Sequence, residues 1–364
     1  MNLTRRDALI TALSAAALIR PGRAAASFAP RPGPWRRFEV TTRIALATDG
    51  APAQAWVPIP AVDEGDWARS GQANWTTNAV SAMRVTDPAS GARFVHAIWP
   101  AGEAAPVLDL TYEASARDRA TDLSRPHDPV PLPAAERARW TAPTALIPTD
   151  GIVRETADRI LAGAQGDLDR ARRLYDWIVE ETVRDPEVRG CGLGDVASML
   201  RMGDLTGKCA DLNALFVGLA RAAGLPARDV YGLRVAPSAF GYVSLGAKSE
   251  DVTKAQHCRA EVHLDGFGWV AADPADVRKV MLEEPPRDLS LSDPKVVDAR
   301  AALFGAWEGN WIALNFSHDV ALPGAVSGPV PFLMYPEAEV AGERLDALEP
   351  DRFVYTMTVR EMAA

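Results

Sequence analysis

The chain has 364 residues, 48% of them hydrophobic and 24% charged, with a mean hydropathy of -0.08. That composition describes a globular protein able to bury a sizeable core, and it excludes collagen-like, disulfide-scaffold and fully disordered classes. A formal net charge of -9 argues against nucleic acid as a partner, because phosphate backbones select a basic face.

Residues 1–26 read as an export leader. Arg5 and Arg6 stand side by side, an apolar run follows from Ala8 to Ile19, and Ala24, Ala25 and Ala26 offer a small-residue cleavage site. The run falls short of the ~20 residues that span a bilayer. The arginine pair resembles a twin-arginine export signal, so the expected location is periplasmic or secreted, with no membrane span in the mature chain. Residues 27–35 (S-F-A-P-R-P-G-P-W) read as a linker. From 36 to 125, alternating runs such as F-E-V-T-T-R-I-A-L and V-L-D-L-T-Y-E-A, separated by turns at Asp49-Gly50 and Asp87–Gly91, predict an antiparallel β domain. A Pro-rich stretch, 126–148, marks a boundary.

The segment 150–290 mixes helices and strands. One helix begins at Asp150. A second is predicted with Asp167 as its N-cap, Leu168, Ala171, Leu174, Tyr175, Ile178 and Val179 on one face, and an end near Asp185-Pro186. A glycine loop (Gly190, Gly192, Gly194, Gly203) leads to Gly207-Lys208-Cys209. A third helix then carries Leu212, Leu215, Phe216 and Leu219, and stops at Gly224 before Pro226. Strands follow over A-R-D-V-Y-G-L-R-V, H-C-R-A-E-V-H-L and G-W-V-A-A-D. The tail, 300–364, is expected to form a β-rich extension.

Cys209 sits where the glycine loop turns into a helix. Unpaired N–H groups and the helix dipole favour an anion there, which lowers a thiol pKa and suits an oxyanion on a bound carbonyl. In H-C-R-A-E-V-H-L, alternation puts His257, Arg259, Glu261 and His263 on one face and Cys258, Ala260, Val262 and Leu264 on the other. After a turn over 265–267, Asp273 returns on the His257 face, opposite or diagonal to it. A carboxylate in that position fixes the imidazole tautomer and stabilises the imidazolium. Glu261, four residues along the strand, is expected to lie out of contact with His257.

These residues form two blocks, G-K-C-A-D-L-N-A-L-F-V-G-L-A-R-A-A-G-L-P-A-R at 207–228 and H-C-R-A-E-V-H-L-D-G-F-G-W-V-A-A-D-P at 257–274. Together they resemble the transglutaminase-like superfamily in a bacterial exported form. The resemblance implies an α+β fold: a papain-like core of helices packed on an antiparallel sheet, over 150–290, flanked by the β domain and the β-rich tail. It carries the family's nucleophile onto Cys209, its base onto His257 and its orienting carboxylate onto Asp273. Arg259 stands where the family often has Trp, a departure that bears on substrate contacts.

The implied activity is cysteine-dependent cleavage of a peptide or protein amide through a thioester. Amine-accepting cross-linking and a non-catalytic envelope binding module are the alternatives. No cofactor is implied. A zinc site built from Cys191, Cys209, Cys258 and His257 lacks C-x-x-C spacing. His263 sits too near the hairpin end to be the base. Cys258 reads as a small core residue, and a Cys191–Cys258 disulfide stays open. His96, His127 and His318 lack company that suggests ligands. Trp307, Asn310 and Trp311 are candidates to cover the cleft, with packing the commoner role of such Trp pairs.

Overall fold

The computed structural model describes residues 27–127 and 129–363, so the expected leader lies outside the described residues. Seven strands come first: β1 (Arg36–Ala45), β2 (Ala53–Ile59), β3 (Ala68–Thr77), β4 (Ser81–Thr86), β5 (Arg93–Trp99), β6 (Val107–Ala116) and the short β7 (Arg119–Ala120). Alternation is clearest in β1 and β6, whereas β2 and β5 are buried along most of their length. Along β6, every second residue from Leu108 to Ala116 is buried. Inward residues of β1, β2, β5 and β6, among them Phe38, Val57, Trp99 and Leu110, share one core.

Helix α1 (Ala134–Thr141) lies inside the Pro-rich stretch that reads as a plain boundary, starting just after Pro133. Helices α2 (Gly151–Ile160) and α3 (Gly166–Glu181) follow. The α3 cap is Gln165 rather than Asp167, because the Gln165 N–H donates to Asp169 Oδ2 at 2.8 Å, within the first turn. The helix ends at Glu181, before the expected Asp185-Pro186. There the Thr182 hydroxyl donates to Ile178 O at 2.7 Å and the chain enters β8 (Val183–Arg184). The glycine loop holds a further unexpected helix, α4 (Val196–Met202), capped by Asp195, and then β9 (Thr206–Gly207).

Helix α5 (Cys209–Ala222) was expected to show one apolar face, yet all fourteen of its residues are buried. Its other faces carry small residues, and a Cβ at Gly218 would lie only 3.1 Å from Ile147 and Val196. Elements can therefore close on it from every side. It packs on β10 (Ala227–Arg234) and β11 (Gln256–Leu264), which pairs with β12 (Gly268–Ala272). Helices α6 (Pro274–Glu283) and α7 (Pro294–Ala302) complete the helical layer.

The tail contributes β13 (Ala306–Trp307), β14 (Trp311–Asn315), β15 (His318–Val320), β16 (Val330–Phe332), β17 (Glu337–Val340), β18 (Glu343–Arg344) and β19 (Val354–Met362). It is β-rich, as expected, but apart from the small β15-β16 pair its strands mostly join sheets begun earlier in the chain. Strand β19 pairs with β1 from Arg37↔Met362 to Ala45↔Val354, β17 pairs with β2, and β14 joins the central sheet β12-β11-β10-β14. The tail thus closes both N-terminal sheets, β19-β1-β6-β3 and β18-β17-β2-β5-β4, and borders the central one. Helices on one antiparallel sheet, joined to all-β layers, make the fold α+β.

Candidate active site

Cys209 is the first residue of α5 and only 5% exposed, yet it lines a cavity of about 380 Å³. Asp211, in the first turn, fixes this corner. Its carboxylate accepts N–H bonds from Leu193, Gly194 and Lys208, each at 2.9 Å. Side chains at Gly192 or Gly207 would collide with that carboxylate. The glycines thus let the loop close onto the helix start. The readable signal was an acid at the third helical position, half of a capping box.

Strand β11 brings His257 to the thiol. The hairpin loop is 265–267, with Leu264 paired to Gly268 and Ala260 to Ala272, so Asp273 follows on diagonally from His257. His257 Nε2 lies 2.8 Å from Asp273 Oδ2 and 3.4 Å from Asp276 Oδ2. Nδ1 is then the ring nitrogen left free, and His257 and Cys209 line the same cavity, close enough for the imidazole to help lower the thiol pKa. Asp273 also caps α6, its Oδ1 accepting the Asp276 N–H at 3.1 Å and Asn213 Nδ2 at 3.2 Å. Behind the imidazole, Trp311 Nε1 donates to His257 O at 2.9 Å. That approach requires Gly232, the cross-strand partner of His257, where a Cβ would lie 2.3 Å from the Trp311 ring.

The electrostatics follow from burial. Desolvation and Arg234 oppose a proton on His257, but Asp276 and Asp273 outweigh them and raise its pKa to about 9. The neighbouring Cys191, Cys258 and His257 hold the Cys209 thiol well below its ordinary value, against desolvation. Burial and the neighbouring Asp276 raise Asp273, whereas Arg234, 2.6 Å from Asp276, overcomes burial and holds Asp276 well below the ordinary carboxylate range. His257, Asp273 and Asp276 could geometrically hold a cation. Arg234 and Arg259, the latter 3.6 Å from Asp273, already supply positive charge there.

Several expectations need revision. The three cysteines are free, so the open Cys191–Cys258 disulfide is not formed, and Cys258 is a fully buried core residue as read, lying with Cys191 beside Cys209. Arg259 does not touch the cavity; it is buried against Trp311, 4.7 Å from the ring centroid, and donates to Glu308 O at 3.1 Å. Glu261 makes no contact with His257, but it is no bystander. It is fully buried between Arg119 and Arg228, the latter at 2.6 Å. His263 packs on Trp269, far down the strand. Trp307 and Trp311 are buried packing residues. His318 does have company, lying 3.1 Å from the buried Asp229. Residues that sequence reasoning missed are Asp211, Asn213, Asp276 and the cavity wall from the tail, including Tyr335 and Phe353.

The model of the transglutaminase-like superfamily matches residues 154–274, a span that contains Cys209, His257 and Asp273. An uncharacterised protein of Haemophilus influenzae is 34% identical over 321 residues, covering 84% of this chain and 86% of that protein. Among solved structures, a Cytophaga hutchinsonii protein provisionally assigned as a cysteine protease is similar at 14% identity and TM-score 0.49, covering 90% of this chain and 99% of its own. The periplasmic domain of TgpA from Pseudomonas aeruginosa is similar at 17% identity and TM-score 0.35, covering 71% of this chain and 75% of that domain.

Proposed function

The chain belongs to the transglutaminase-like superfamily, and from that premise we propose that it is an exported cysteine-dependent amide hydrolase, a peptidase or amidase. The observation that carries the reading is that Cys209 and His257 line one cavity, with Asp273 2.8 Å from the far nitrogen of the imidazole.

In this reading the Cys209 thiolate attacks the amide carbonyl. As the first residue of α5, Cys209 has an N–H with no carbonyl one turn back to bond, and this group steadies the tetrahedral oxyanion. The protonated His257 gives its proton to the leaving amine as the C–N bond breaks, leaving a thioester. Water then adds, His257 takes its proton, and the acid departs as the thiolate reforms. Asp273 holds the ring so that Nδ1 faces sulfur and stabilises the imidazolium.

Incubating the pure protein with amide-bearing envelope peptides, with and without an added primary amine, tests the reading. Release of free amine and acid is expected. Incorporation of the added amine would make the protein a cross-linking transferase, and no reaction would leave a binding module. Export rests on Arg5 and Arg6. Replacing both with Lys should leave precursor in the cytoplasm, because the twin-arginine route reads the guanidinium pair. Normal export of that variant would refute the route.

A further inference from the structure

The acidic chain turns its cations toward the cavity. Among the cavity's lining residues are six Lys or Arg and no Asp or Glu, in a protein with 39 basic and 48 acidic residues. A second cavity, of about 520 Å³, adjoins it and shares Arg234, Thr253, Lys254, Gln256 and Lys279. Its one carboxylate is Asp251, which accepts the Thr253 N–H at 3.0 Å.

The kind of cation matters as much as the number. The chain has 34 arginines and only five lysines, and four of those five line these two cavities: Lys208, Lys248, Lys254 and Lys279. The arginines there are already engaged. Arg184 lies 2.5 Å from Glu283, Arg234 pairs with Asp276 at 2.6 Å, and Arg189 pairs with Asp346. Among the described residues, Lys208, Lys248 and Lys254 have no ion-pair partner, and Lys279 comes only within 3.9 Å of Glu283. Arginine thus serves fixed planar pairs, while lysine leaves mobile point charges along the walls.

Resting on the hydrolase reading, we propose that the two cavities form one track for a peptide acyl donor carrying several carboxylates, held by Lys208, Lys254, Lys279 and Lys248. A phosphate is met by donors that converge on one point. These ammonium groups are instead distributed over two adjoining cavities, an arrangement that suits carboxylates spaced along an extended chain. The apolar wall of Leu348, Phe353 and Tyr355 accepts the peptide's apolar portions.

The binding test uses the full-length Cys209→Ala protein, so that it does not depend on turnover. A synthetic peptide with two glutamates should bind about tenfold more tightly than its glutamine counterpart at low ionic strength, the gap closing in high salt. Lys248→Gln and Lys254→Gln, both at exposed positions, should each weaken the acidic peptide about threefold. Equal affinity for the two peptides, or indifference to both lysine variants, would overturn the proposal. Displacement of the peptide by an equal concentration of inorganic phosphate would also overturn it, in favour of a simple oxyanion site. A parallel arm compares alkylation of Cys209 by iodoacetate and iodoacetamide in the wild type. A ratio favouring the anion, and falling in the lysine variants, supports the track, and a ratio they leave unchanged counts against it. An unreactive Cys209 would sink the hydrolase reading, while the peptide-binding arm still decides the track.

Discussion

Two clusters of buried charge share one face of β11, four residues apart, and they behave differently. Around Glu261, the carboxylate sits between Arg119 and Arg228, Arg228 also pairs with Glu64 at 2.8 Å, and Phe316 and Trp269 seal it at 3.7 and 4.1 Å from the ring centroids. Around His257, two carboxylates face Arg234, Arg259 and an imidazole that reaches a thiol at a cavity. The first cluster holds only fixed charges. The second holds a group that can gain or lose a proton, with access to a bound molecule. Burial of charge is common to both, so burial alone does not mark a reactive site. A titratable member with a path to a cavity does.

If this contrast is right, damage to the two clusters should appear in different measurements. Glu261→Gln should cost stability, on the order of 3 kcal/mol, because buried Arg119 loses its carboxylate and Arg228 keeps only Glu64. Denaturant melts would register the loss, while turnover per folded molecule should change little. A strong loss of turnover in folded Glu261→Gln would erase the distinction between the clusters.

Asp273→Asn should do the reverse. Asn remains a good N-cap for α6, so melting should change modestly. Its amide can place an N–H against Nε2, however, and favour the wrong tautomer. A loss on the order of 10²–10³ in turnover is expected, smaller than the roughly 10⁴ that the same change costs a serine-protease triad, because a thiolate depends less on its base. Unaltered amide cleavage would reduce Asp273 to a helix cap.

Asp276→Asn should act more gently, through the imidazole. His257 titrates at about 9, and Asp276 leads the charges that raise it. Activity in the wild type should therefore fall as pH rises through about 9, and this limb should move to lower pH in Asp276→Asn. A limb that stays in place would remove Asp276 from the site.

The same titration also bears on stability. Because the folded value lies above the ordinary 6.5, protonated His257 stabilises the fold fully below 6.5, and that contribution is lost as pH rises through about 9. The stability difference between wild type and His257→Gln should shrink across that window. A difference that grows instead would have the wrong sign for a histidine held between two carboxylates.

The contrast between the clusters also shows what the sequence could disclose. The helix at Cys209 and the hairpin carrying His257 and Asp273 were legible because local signals set them: Gly207 before the helix, Gly224 and Pro226 after it, and a three-residue loop that fixes the register. Asp276 was not, since an acid three residues past Asp273 reads only as a first-turn helix residue. Glu261 looked inert because Arg119 and Arg228 reach it from other strands, with Arg119 142 positions away in sequence. The closing of the N-terminal sheets by β17 and β19 is hidden for the same reason, as pairings across hundreds of residues leave no local trace. The lysine track needed the fold to bring residues 208, 248, 254 and 279 together.

The most direct test of the account is selective alkylation. Wild-type protein treated with limiting iodoacetamide at mildly acidic pH, then mapped by mass spectrometry, should carry the label on Cys209, whose thiol is held below its ordinary range. Cys191 and Cys258, pushed upward by their contacts with Cys209 and by burial, should remain unlabelled. Cys209→Ala should fold and take up no label under the same conditions. Label found mainly on Cys191 or Cys258 in the wild type would contradict the account, because the thiolate would then lie away from the helix start and His257.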